Sequence, residues 1–279
     1  MFNRFQRSWE LTKLSAAALS KDKVLMLFPL MSGAATILVT ISFFVPLFLN
    51  GSVKDLERHQ GSPLTYLWLL LFYFCSYFVT IYFNCALMAS ANMALAGGRA
   101  TLGAGFAIAN QRLGKIISWA LLATTIGMIL RTLEERVGLL GKIIIVLLGA
   151  AWSILTYFIV PVIVFEDQGV FDGVRRSAEL VKKTWGENVG KALTFSAFTL
   201  LGMLAIVPLT VVGIMIHPLV GILLMVVSIT LLLTAVTAMD GIFKVALYRY
   251  AWMGAVSEGF SQDLIQSAFQ EKKKGRFGF

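Results

Sequence analysis

Charge is scarce in this 279-residue chain, histidine scarcer, and cysteine almost absent. Asp, Glu, Lys and Arg make up 14% of the residues and hydrophobic residues 58%; a soluble globular domain has about 25% and about 45–50%. A water-soluble fold is excluded, as are disordered, collagen-like and disulfide-scaffold chains. The mean hydropathy of +0.80 makes lipid the main solvent. Cys75 and Cys85 lie in one apolar run and point to different faces of a helix, which rules out a bridge or a metal pair. With only His59 and His217 besides, zinc is excluded, and no pattern for any other metal or cofactor is present. The motifs of zinc peptidases, serine hydrolases, P-loop enzymes and dinucleotide-binding folds are all missing.

What is there is a series of six apolar runs, at 24–49, 64–83, 116–130, 143–165, 192–216 and 219–239. A bilayer core takes about 20 residues of helix, and peptide groups in hydrocarbon must bond within their own segment, so each run is expected to be a transmembrane helix. The third is short, but Lys115 and Arg131 at its ends can snorkel their charges to the interface. The fold class is therefore all-α: a polytopic membrane protein of six spans arranged as three hairpins.

The net charge of +9 would suggest nucleic acid in a soluble protein, but these basic residues stand between apolar runs. They read as topology signals facing anionic lipid, with no nucleic-acid partner. If the N-terminus is cytoplasmic, 19 of the 24 Lys and Arg fall inside, and only Lys54, Arg58, Arg131, Arg136 and Lys142 fall outside. Both termini are accordingly expected in the cytoplasm.

An amphipathic, cytoplasmic-side helix is expected before each hairpin. Val174, Ala178, Val181 and Trp185 recur at helical spacing behind a cap at Asp172. Leu102, Phe106, Ala109 and Leu113 repeat the template, as do Phe5, Trp9, Thr12 and Ala16. These helices lie in the inner interface or, alternatively, pack on one another as cytosolic connectors. RSWELTK at 7–13 and RSAELVK at 176–182 share five of seven residues at equivalent places. This divides a single membrane domain, 1–255, into repeat-like units 1–96, 97–168 and 169–255, with a basic cytoplasmic tail at 256–279.

Several residues are candidates for function. Glu166 and Asp167 close the fourth run beside Arg175, Arg176, Lys182 and Lys183, and Trp185 would sit at headgroup level. Together they could bind a lipid headgroup, a divalent ion or a partner; a solvated, self-paired loop is the plainer reading. Asp240 and Lys244, at i and i+4, could form an intramembrane ion pair or an interface anchor. Ala86, Ser90, Ala94 and Gly98 form a small-residue stripe suited to close helix approach, and Pro46, Pro161 and Pro208 should kink their spans. DGVRR at 172–176 resembles the opening of a phosphatidyltransferase motif, but lacks the later aspartates that metal-assisted chemistry needs.

The signposts WAL at 119–121, GAAW at 149–152, PVIVFED at 161–167, RS at 176–177 and TWGEN at 184–188 carry a resemblance. With SWEL at 8–11 and FPL at 28–30, the chain resembles an uncharacterised family of bacterial and archaeal integral membrane proteins, a domain of unknown function. Its layout is also similar to the membrane domain preceding some glycerophosphodiester phosphodiesterases. The resemblance implies topology and no activity.

The expected function is a non-enzymatic membrane module that self-assembles, as a homo-oligomer, and binds lipid of the anionic inner leaflet or protein partners. A channel or permease for a small solute is the alternative, and a lipid-modifying enzyme a remote one. The orientation is directly testable. Tags near Met1 and at Phe279 should be accessible only from the cytoplasm, while a cysteine placed at Gly61 should label from outside. Labelling of that cysteine from the cytoplasmic face alone would reverse the topology.

Overall fold

A computed structural model describes residues 13–49 and 62–253, with the backbone alone for 184–198 and 253. Among the described residues the regular elements are helices, without strands. Residues 13–21 are helical (α1), and a 3-10 turn, Lys23–Met26, leads into α2, Leu27–Leu49. There follow α3 (Pro63–Leu95), α4 (Leu102–Gln111), α5 (Leu113–Arg136), α6 (Leu139–Leu155), α7 (Ile159–Phe165), α8 (Val170–Ile216) and α9 (Pro218–Met253). Six stretches are long and apolar enough to cross a membrane: Lys23–Leu49, Pro63–Leu95, Leu113–Arg136, Leu139–Phe165, Thr199–Ile216 and Pro218–Trp252. The chain is an all-helical, multi-pass membrane protein.

Several boundaries differ from those the hydropathy suggests. The third span has 24 residues, because Arg131 stays inside α5. It donates to the Tyr73 hydroxyl and to Glu135 Oε1 at 3.3 Å, so its charge is held by the protein rather than ending the helix. α3 runs for 33 residues, about 50 Å at 1.5 Å per residue, against a hydrocarbon core of about 30 Å. Gly97 ends it by turning into the left-handed region at φ 87°, with Gly98 N–H bonded back to the Met93 carbonyl at 3.0 Å. The fourth span is broken at 156–158. Pro161 has no N–H to give to the Tyr157 carbonyl, so the helical ladder cannot run through. Pro46 and Pro208 remain inside continuous helices.

The amphipathic helices also differ from expectation. α4 forms, capped by Thr101, whose Oγ1 accepts from Ala104 N–H at 3.4 Å. Its apolar stripe packs on protein: Phe106 meets Phe28, Tyr82 and Phe83 at ring distances of 5.4–6.0 Å. The helix expected at 172–186 is not separate, since α8 runs unbroken through it into the fifth span for 47 residues. Asp172 lies in its first turn and does not cap it, because the Gly173 N–H already bonds to the Gly169 carbonyl at 2.8 Å. The buried face of α8 is Gly173, Ser177, Leu180 and Val181, one residue off the predicted stripe. Small residues set that face: a Cβ on Gly173 would lie 3.2 Å from Ile159 Cδ1, and Ser177 Oγ accepts the Phe158 N–H at the break, at 3.0 Å. Residues 7–12 of the sequence repeat and the tail 256–279 lie outside the described residues.

The chain forms two compact units, one from the described parts of Met1–Met26, Ala91–Arg99 and Glu179–Phe279, the other from Leu27–Ser90 and Ala100–Ala178. In the second, Phe43 and Phe44 of α2 interlock edge-to-face with Trp68 and Phe72 of α3, at 5.1–5.9 Å between ring centroids. Phe28, Cys85–Ser90, Ile116, Trp119, Phe158 and Val162 form its buried core, while Ile37, Leu38, Phe48, Leu64 and Leu139 face outward. In the first, Ile242–Tyr248 are largely buried, and Leu200, Leu204, Val207 and Leu219 are exposed. Large apolar side chains on the outside of both units suit a lipid solvent. At the turn between α8 and α9, His217 Nδ1 accepts the Leu219 N–H at 3.2 Å, and a Cβ on Gly213 would lie 2.8 Å from Gly221 Cα.

Gly105 of α4 sits against Ala86 and Ser90 of the small-residue stripe. A Cβ there would come within 2.6 Å of the Ala86 carbonyl oxygen and 2.8 Å of Phe28 Cζ. Gly105→Ala should therefore destabilise the second unit by about 1–3 kcal/mol, read as a lower thermal midpoint in detergent. Gly33→Ala, whose Cβ meets nothing within 4 Å, should leave the midpoint unchanged or raise it.

Candidate functional site

The densest charge cluster lies where the fourth span ends. Glu166 is extended at φ −111° and ψ 146°, which stops α7 and opens the four-residue link to α8. Its carboxylate accepts from Arg176 Nε at 3.1 and 3.2 Å and from Gln168 Nε2 at 2.9 Å. The Glu166 side chain is 9% exposed and that of Arg176 22%, so this is a largely buried pair. Removing one partner would strand the other's charge.

Asp167 turns the other way and meets α5. Arg112, at φ −103° and ψ 10°, ends α4 and begins α5; its carbonyl accepts the Ile116 N–H at 3.0 Å. This junction puts Arg112 and Lys115 in one turn. Arg112 Nη1 reaches Asp167 Oδ1 at 2.9 Å and Lys115 Nζ reaches the same oxygen at 2.5 Å. Lys115 Nζ also donates to the Glu166 carbonyl at 3.3 Å. The hydrogen bond from Lys115, then its charge, then Arg112 hold the Asp167 carboxyl below the usual carboxylate range.

The expected site residues are thus placed unevenly. Glu166, Asp167 and Arg176 come together; Arg175, Lys182 and Lys183 lie exposed along α8; the Trp185 side chain lies outside the described residues. Arg112 and Lys115, read from the sequence as topology signals, are cluster members. Spacing could not reveal this, because they lie more than 50 positions from Asp167.

In the first unit, Lys244 Nζ and Asp240 Oδ2 are 2.9 Å apart along α9. Arg249 Nη1 donates to Asn92 Oδ1 at 2.8 Å and to the Asn92 carbonyl at 3.4 Å, at the end of α3, where a cation suits the helix dipole. Among the described residues, no group of three or more His, Cys, Asp and Glu is arranged to hold a metal ion. The cluster pairs two acids with three cations, Arg112, Lys115 and Arg176.

The direction of the Asp167 shift fixes a pH dependence. A carboxyl depressed in the folded state contributes its pairing above its unfolded value, near 3.9, and loses it as pH falls through the lower folded value. In infrared titration of isotope-labelled aspartate, Asp167 should stay ionised below the ordinary range, and Lys115→Gln should move its midpoint upward. An unshifted midpoint in both forms would dissolve the triad.

No curated protein and no solved structure matches the chain. Residues 64–259, which hold both the Glu166–Asp167 cluster and the Asp240–Lys244 pair, match a family of unknown function, DUF6159. The chain belongs to that family of unknown function, DUF6159.

Proposed function

We propose that the protein is a non-enzymatic module of a prokaryotic inner membrane, with both termini cytoplasmic, that self-associates and holds anionic lipid at its cytoplasmic end. One observation carries the reading: Arg175, Lys182 and Lys183 are solvent-exposed on α8, and the acids of the Glu166–Asp167 link are engaged by Arg176, Arg112 and Lys115. Carboxylates held by cations are poor general bases and poor metal ligands, which argues against catalysis there. Exposed basic side chains at the end of a span attract anionic headgroups, each by about 1 kcal/mol at the surface. The Asp240–Lys244 pair lies within the sixth span, toward its C-terminal end, and serves there as an anchor, ahead of Tyr248, Arg249 and Trp252.

Native mass spectrometry of protein released from mixed nanodiscs tests the lipid claim. Wild type should retain phosphatidylglycerol over phosphatidylcholine. The triple variant Arg175→Gln, Lys182→Gln, Lys183→Gln should lose about fivefold of that preference per charge removed, and with it the salt dependence. Arg176 is spared because it holds Glu166. Equal retention of both lipids by the wild-type protein would refute the reading.

A further inference from the structure

Arg112 and Lys115 are two cations answered by one exposed acid. Their side chains are 27% and 24% exposed, whereas that of Asp167 is 84% exposed and covers them from outside. Both cations share Oδ1, and among the described residues Oδ2 makes no hydrogen bond, so the triad keeps a net positive charge. Lys115 has a second hold on the Glu166 carbonyl, and Glu166 is fixed by Arg176 and Gln168. The ammonium group therefore has an anchor besides the Asp167 carboxylate.

The surroundings leave room for a larger anion. The first turn of α5 contains no acid, and Arg112 provides no side-chain cap. The first helical bond of α5 is that of Ile116 N–H to the Arg112 carbonyl, so the preceding amides of the turn have no acceptor within the helix. A Cβ added at Gly114 would meet nothing within 4 Å. The cations also stand at the level where the third span begins and the fourth ends, at Leu113 and Phe165. A phosphate sits at that depth in a bilayer, and it offers separate oxygens to a guanidinium and an ammonium that a monodentate carboxylate makes share one.

We propose that Arg112 and Lys115 form a phosphate-binding site in which Asp167 is a resident competitor, displaced when a phosphate group enters. The inference rests on the reading that this end of the protein meets anionic lipid, and adds to it a defined site and a built-in restraint. Diffuse attraction through α8 follows net charge; this site requires two particular side chains.

The test uses the full-length protein in phosphatidylcholine nanodiscs with two probes, phosphatidylglycerol doped into the bilayer and inorganic phosphate in solution. Binding is followed by native mass spectrometry and phosphorus NMR. Asp167→Asn should bind at least one probe about tenfold more tightly than wild type, the equivalent of one charge-assisted bond released from competition. A gain for the lipid alone identifies a headgroup as the source, and a gain for inorganic phosphate identifies a free anion; either supports the site. Adding Arg112→Gln and Lys115→Gln should abolish the gain, and Lys115→Gln alone should reduce it where the triple variant does not fold by circular dichroism. No gain for either probe in Asp167→Asn, or a gain that survives loss of both cations, overturns the proposal. The outcome separates from that of the α8 variant: wild-type preference for anionic lipid with an inert Asp167→Asn defeats only this site, and the converse defeats only the surface reading.

Discussion

A peptide group inside hydrocarbon has no water to bond, and that requirement shapes each element of this protein. The spans are helices because only a helix closes its own backbone bonds within one segment. Hydroxyls obey the same rule: Thr36, Thr80, Ser118, Thr125, Ser153, Thr210 and Thr230 each donate to the carbonyl four residues back, at 2.8–2.9 Å. Where Pro161 forces the fourth span to break, the stranded Phe158 amide is received by Ser177 of α8. A serine on an expected surface helix thereby becomes a buried support for a membrane span. Among the described residues, Ser76 Oγ, Thr124 Oγ1, Trp119 Nε1 and Arg249 Nε depart from the rule, being buried without a hydrogen-bond partner.

Charges follow the same logic at higher stakes. Near the bilayer an unpaired charge is expensive, and several ionisable groups of the spans and their ends are held by partners. Arg131 lies over Tyr73, 5.8 Å from its ring centroid, and bonds to Glu135; Asp240 is answered by Lys244; Glu166 is answered by Arg176. In the Arg112–Lys115–Asp167 triad two cations converge on one oxygen of a mostly exposed carboxylate side chain.

Close approach in the second unit depends on small residues rather than large ones. Ala86 and Ser90 receive Gly105, Ser90 Oγ donates to the Thr101 carbonyl at 2.8 Å, and Gly173 lies against Ile159. Such contacts let backbones come near enough for dispersion and hydrogen bonds to hold helices together where lipid and protein interior are equally apolar. The aromatic interlock of Phe43 and Phe44 with Trp68 and Phe72 joins α2 to α3 in the same way, by shape.

Composition and hydropathy by themselves determined an all-helical chain with six membrane-crossing segments, because a helix in lipid must be apolar along about 20 residues and nothing else in the chain satisfies that. The sequence also grouped Glu166 and Asp167 with Arg175, Arg176, Lys182, Lys183 and Trp185, and of these Arg176 bonds to Glu166. Tertiary structure decided what periodicity could not. Arg112 and Lys115 reach Asp167 across more than 50 positions. The α8 contact face turned toward Gly173, where a Cβ would lie 3.2 Å from Ile159 Cδ1, and toward Ser177, whose hydroxyl accepts the Phe158 N–H; hydropathy registers neither a missing side chain nor a distant hydrogen-bond partner. Helix ends moved for a related reason: Arg131 was long enough to find Tyr73 and Glu135 from within α5, so a charge that reads as a boundary in the sequence became an interior residue once partners stood beside it.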